Sequence, residues 1–214
     1  MPCPLEGLLE IEMAIHLWDY APDALEVAMS EMLLATAEGA DALIDQNVKD
    51  VLQGLRQHLN MDVIFVSEIR DGQRMFKYVN NKPDRALIET GSGSSLESSF
   101  CQCVLDGRLP RLVHDAATCA EKDALPQVPF RVGAHLSTPI VLADGQIYGT
   151  LCCFSMAADP SLQETDLRKL ECVAKYTAKR IDVQRDAESG QWQLQPIDEK
   201  KQTWNLPGKA RARV

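Results

Sequence analysis

The chain has 214 residues, 45% hydrophobic and 25% charged, enough for a sizeable core without disulfides or metals. A formal net charge of −9 argues against nucleic acid or an anionic membrane as partner, because both require clustered Lys and Arg. No stretch approaches the ~20 apolar residues of a membrane span, and the first residues lack the pattern of a secretory signal. A cytoplasmic location is therefore expected, with the seven cysteines as free thiols.

Residues 1 to about 60 read as helical. Leu25, Met29, Met32 and Leu33 recur at helical spacing, as do Ile44, Val48, Val51, Leu52 and Leu55, with Gly39 as the candidate break. From residue 61 the chain turns β-rich: DVIFVSEIR and RMFKYVNN flank Asp71-Gly72 and predict a hairpin. The segment SSLESSFCQCVLD predicts a short helix ended near Gly107, and RLVHD a brief strand. A second hairpin is expected where AHLSTPIVLA and QIYGTLCCFS flank Asp144-Gly145, with a loop, CAEKDALPQVPFRVG, ahead of it. Ser161 and Glu164 make a capping-box pattern before Leu167, Leu170, Val173, Ala174 and Ile181, predicting a long helix to about residue 186. Beyond it the sequence is polar, with Trp192 and Trp204 as candidate docking anchors.

This order divides the chain into an N-terminal helical extension (1–40), a domain (41–186) and a polar C-terminal tail (187–214). It implies an α+β fold, with an antiparallel sheet carrying helices on its faces.

The stretch SSFCQCVLDGRLPRLVHDA, followed by VGAHLSTPIVLADGQIYGTLCCFS and the closing helix, resembles the GAF domain family over roughly residues 42–184. The resemblance implies a central antiparallel sheet of five to six strands with helices on both faces. The first and last helices would pack on one face, and a ligand pocket would lie on the other. It also implies a sensory module that binds a small molecule, carries out no catalysis, and acts in trans on a signalling partner. A homodimer through the N-terminal and C-terminal helices is expected. The cofactor, if any, is left unspecified, and no metal set is visible.

Residues two apart on a strand share a face. Gly149 and Leu151 resemble family positions that pack against the long helices. His135, Ser137, Thr150, Cys152 and Phe154 then become the expected pocket lining, with Tyr148 in the same alternating set. Phe100, Cys101 and the His114–Asp115 pair would border the pocket. His135 stands where similar sequences commonly carry an aromatic residue. It reads either as a ligand to haem, a metal or an anion, or as a plain replacement for that aromatic. Asp115 reads as a loop cap rather than as a catalytic partner of His114.

Cys101-x-Cys103 and Cys152-Cys153 lack the spacing of zinc or thioredoxin chemistry, and Cys152 and Cys153 should face opposite sides of the sheet. A Cys101–Cys119 redox couple is the thiol hypothesis the sequence leaves open.

Two rival functions remain. Similar GAF-fold enzymes reduce free methionine sulfoxide, but their pattern places acidic residues at the slots of His135, Cys152 and Phe154, and a cysteine near Val128. A haem or bilin sensor is the other, although neither Cys101 nor Cys119 is followed by the histidine of a bilin attachment site.

Overall fold

The computed structural model describes residues 18–35, 41–119, 123 and 125–188. The expectations for the first 17 residues, for the break at Gly39, and for the tail with Trp192 and Trp204 lie outside the described residues.

Helix α1 (Pro22–Ala35) opens on a proline, whose fixed φ and missing N–H suit a first helical turn. It buries Leu25 and Met29. Helix α2 (Asp41–His58) buries Val48, Val51, Leu52 and Leu55, four of the five apolar positions expected on its stripe, while the side chains of Met32, Leu33 and Ile44 lie outside the described residues. Trp18, ahead of α1, covers the core rather than facing outward: it is buried, stacks on His58, and its carbonyl accepts from Lys169 Nζ at 2.8 Å.

Strands β1 (Val63–Arg70) and β2 (Gln73–Asn81) form the first hairpin. Asp71 and Gly72 take φ of 52° and 72°, the left-handed pair that a two-residue turn between twisted strands demands. The three-residue β3 (Gly93–Ser95) adds to β2. Helix α3 (Phe100–Leu105) is capped by Ser99, whose Oγ accepts from Gln102 N. The brief β4 (Leu112–Val113) precedes the hairpin of β5 (His135–Val141) and β6 (Ile147–Phe154). Helix α4 (Glu164–Glu188) closes the domain.

The six strands make one open antiparallel sheet in the order β3-β2-β1-β6-β5-β4. Its two faces bury separate cores. On one, Ile64, Val66, Leu136, Ile140, Leu151 and Cys153 pack against α1, α2 and α4. On the other, Val63, Phe65, Phe76, Cys152 and Phe154 pack with α3 and the loops. Each large apolar side chain so buried contributes roughly 1.5–3 kcal/mol.

Two local expectations need correction. The capping box does not join Ser161 to Glu164. Ser161 Oγ donates to Asp159 at 2.6 Å, and the carboxylate of Asp166 reaches back to the N–H of Gln163 at 2.9 Å. The helix therefore starts two residues later than the serine suggested, with Gln163 at its N-cap. Tyr148 also leaves the alternating set. The pairing of β5 with β6 shifts between Ile140 and Val141, and this irregularity turns Tyr148 toward the helices, with Arg185 over its ring at 5.4 Å.

Candidate functional site

Cross-strand register sorts the sheet face opposite the long helices into rows. One row runs Val63, Phe154, His135; the next Phe65, Cys152, Ser137; the third Ser67, Thr150, Pro139. The first row is large and largely apolar, whereas the second and third carry small polar groups. Helix α3 lies over the small residues, and a cleft of about 510 Å³ remains over the large ones.

Phe65, Phe76, Phe100, Phe130 and Phe154 all line this cleft, and they are the five phenylalanines of the whole chain. Phe65 meets Phe76 edge to face at 4.9 Å, and Phe130 stacks on Phe154 at 5.3 Å. The loop carrying Leu87 and Ile88 forms one wall. Asn81 fixes it, with Oδ1 accepting from both backbone N–H groups and Nδ2 donating to the Ile88 carbonyl at 2.8 Å. Val128, Pro129 and Val132 form the other wall.

Two polar side chains stand in this apolar setting. Arg74 lies with its guanidinium carbon 4.6 Å from the Phe76 ring centroid. Its Nη2 donates to Ser94 Oγ at 2.8 Å and its Nη1 to Cys101 Sγ at 3.4 Å, while the buried Nε has no partner. His135 is 2% exposed, its ring 5.7 Å from Phe100, and its Nδ1 also has no partner. Burial pushes its pKa down to about 4, so the imidazole is neutral at physiological pH. A buried N–H or lone pair without a partner costs on the order of 1–3 kcal/mol. Both atoms belong to residues that line the cleft. Glu89, the one carboxylate lining the cleft, sits at the exposed rim.

Of the sequence-derived site residues, Phe100, His135 and Phe154 line the cleft. Cys101, Ser137, Thr150 and Cys152 do not. Ser137, Thr150 and Cys152 lie in the second and third rows, Cys101 lies on the α3 helix that covers them, and these side chains contact one another. His114 stands apart from them, its Nε2 3.0 Å from the Leu162 carbonyl. Asp115 is a loop brace: its carboxylate takes two hydrogen bonds from Arg131 Nη2, both 2.8 Å, and one from Ala117 N.

Arg74, Phe65, Phe76, Phe130 and the two wall loops were not singled out from the sequence. A usable signal existed, because none of the five phenylalanines falls in the long helices. Among the described residues, no group of three or more His, Cys, Asp or Glu is placed to hold a metal ion. No helix there is long and apolar enough to cross a membrane.

An open antiparallel sheet, helices on one face and a roofed cleft on the other define a ligand-binding regulatory fold. The GAF domain model matches residues 44–181, more than half of the chain, and the chain belongs to the GAF domain family. Among solved structures, a GAF sensor protein from Burkholderia vietnamiensis, described as putative, superposes with a TM-score of 0.57 at 15% identity, covering 78% of this chain and 100% of that one. The GAF domain of a phosphoenolpyruvate-protein phosphotransferase from Coxiella burnetii gives 0.59 at 16%, covering 77% and 96%. A free methionine-R-sulfoxide reductase from Neisseria meningitidis gives 0.57 at 16%, covering 77% and 92%. At these identities the likeness is one of fold. No curated protein matches the sequence.

Proposed function

We propose that this domain is a regulatory module whose cleft binds a small planar organic acid and which acts in trans on a signalling partner. The observation that carries this reading is the composition of the cleft: every phenylalanine of the chain, a neutral buried histidine, and one arginine with an open Nε. Aromatic walls favour a flat apolar body, and a guanidinium at its edge favours a carboxylate. An anion here would meet the half-buried guanidinium of Arg74, in a chain whose net charge is −9.

The route outward follows the hairpin that carries the site. His135 and Phe154 face each other at one end of the β5–β6 pair. The other end is tied to α4, where Ala143 N donates to Asp182 Oδ2 at 3.0 Å and Arg185 covers Tyr148. A ligand that changes the spacing of β5 and β6 thereby biases how α4 packs, and α4 is the surface a partner would read.

The test is calorimetry of the purified chain with aromatic carboxylates, their primary amides and the matching amines. Carboxylates should bind, and Arg74→Met should weaken them about ten- to hundredfold, the loss of one charge-assisted contact. Equal binding of amide and acid would remove the anion from the account. A Soret or visible absorption band in the purified protein would replace it with the chromophore reading, with His135 the first residue to mutate.

A further inference from the structure

Behind the cleft wall lies a second feature that ligand binding does not use. Cys101 Sγ of α3 and Cys152 Sγ of β6 are 3.5 Å apart, joined across 51 positions of sequence and both buried. We propose that Cys101 and Cys152 are a redox-active dithiol, closed to an intramolecular disulfide by hydrogen peroxide entering through the cleft.

The surroundings divide the two roles. Cys101 Sγ receives a hydrogen bond from Arg74 Nη1 at 3.4 Å, so a cation stabilises its thiolate. Hydrogen bonding from Cys152 and the charge of Arg74 lower its pKa against the opposing effect of burial. Cys152 is the resolving partner: burial raises it, and Thr150 Oγ1 and Ser137 Oγ lie 3.3 Å and 2.9 Å from its sulfur. A disulfide bond is about 2.05 Å long, so about 1.5 Å remains to be closed between the sulfurs. The neighbouring Cys153 is on the helix side of the sheet, and Cys119 donates to the Ala116 carbonyl at 3.3 Å.

Access is by way of Arg74, which lines the cleft on one side and touches Cys101 on the other. Cys101 is 1% exposed, so the oxidant must be as small as hydrogen peroxide. In the first step the Cys101 thiolate attacks one peroxide oxygen and the O–O bond breaks. Cys101 becomes a sulfenic acid, and the departing hydroxide takes up the proton that Cys101 gave up, leaving as water. In the second step Cys152 sulfur attacks the sulfenic sulfur and displaces hydroxide, which takes the Cys152 proton. Two thiols lose two electrons in all, and one peroxide becomes two waters.

This inference is independent of what the cleft binds, and its test needs no ligand. The reduced full-length wild-type protein is treated with one equivalent of hydrogen peroxide, with circular dichroism confirming that it stays folded. Intact mass and peptide mapping under non-reducing conditions are then recorded. The expected result is a loss of two hydrogens and a Cys101–Cys152 linked peptide, both reversed by dithiothreitol. Cys152→Ser should instead leave a sulfenic acid on Cys101 that dimedone traps. A wild-type protein that keeps both thiols under peroxide would overturn the proposal, as would a bridge from Cys101 to Cys119. Because the wild-type chain carries the decision, failure of the variant to fold would not obscure it.

Discussion

His135 is a histidine that folding holds neutral. In the unfolded chain it titrates near 6.5, whereas burial pushes the folded value down to about 4. Between these values the unfolded chain binds a proton that the folded chain refuses. The contribution to stability is therefore complete above the unfolded value and is lost as pH falls through the window, at up to about 1.4 kcal/mol per pH unit. Replacing His135 with Phe, which keeps a ring beside Phe100, should remove that part of the slope. Urea unfolding at pH 7 and pH 5 gives the comparison: the variant should lose less stability than the wild type. An equal loss in both would place the acid sensitivity on other groups. His135, Phe100 and Phe154 were legible in the sequence because strand alternation and the position of the short helix both pointed the same way. Arg74 was not, since an arginine near a DG turn reads as solvated surface until Ser94, Cys101 and Phe76 are seen to surround it.

Among the elements, β6 owes its central place to Gly149. A Cβ built there would lie 1.7 Å from the Ser67 carbonyl oxygen on β1, a contact that only displacement of a strand could relieve. Gly149→Ala should cost about 3 kcal/mol or more by overpacking. Gly72, at φ +72° with nothing within 4 Å, provides the contrast. Gly72→Ala should cost only about 1–2 kcal/mol, the strain of left-handed backbone. Thermal melts of the two variants rank them, and similar losses would mean that the strands yield more readily than the close approach implies. Both hairpins were readable from their DG turns, and the helical stripes from their spacing. Strand β3 was not, because three residues carry no periodicity. The reversal of Tyr148 was hidden too, since a bulge changes facing without changing composition. The same limit explains why Ser137, Thr150 and Cys152 were expected in the cleft: alternation gives their face correctly, but not the α3 helix, carrying Cys101, that covers them.

At the scale of the whole molecule, the fold separates a cleft face from a helical face, with the sheet between them. Val27 on α1 and Val183 on α4 are 60% and 42% exposed on the helical face, and α1 packs against α4. We propose that these helices join two copies of the chain. Light scattering at tens of micromolar should give a dimer, and the double substitution Val27→Glu, Val183→Glu should return a folded monomer. A monomeric wild type would leave α4 to a different partner.

The central claim is that the cleft is a site for a planar acid, and the placement of the phenylalanines offers a direct view of it. Labelling the chain with fluorophenylalanine gives five fluorine reporters, one for each ring, all of them lining the cleft. Titration with aromatic carboxylates should shift several of these resonances together, while the matching amines leave them in place and Arg74→Met suppresses the response. Resonances that stay fixed for the carboxylates, or move equally for the amines, would contradict the account.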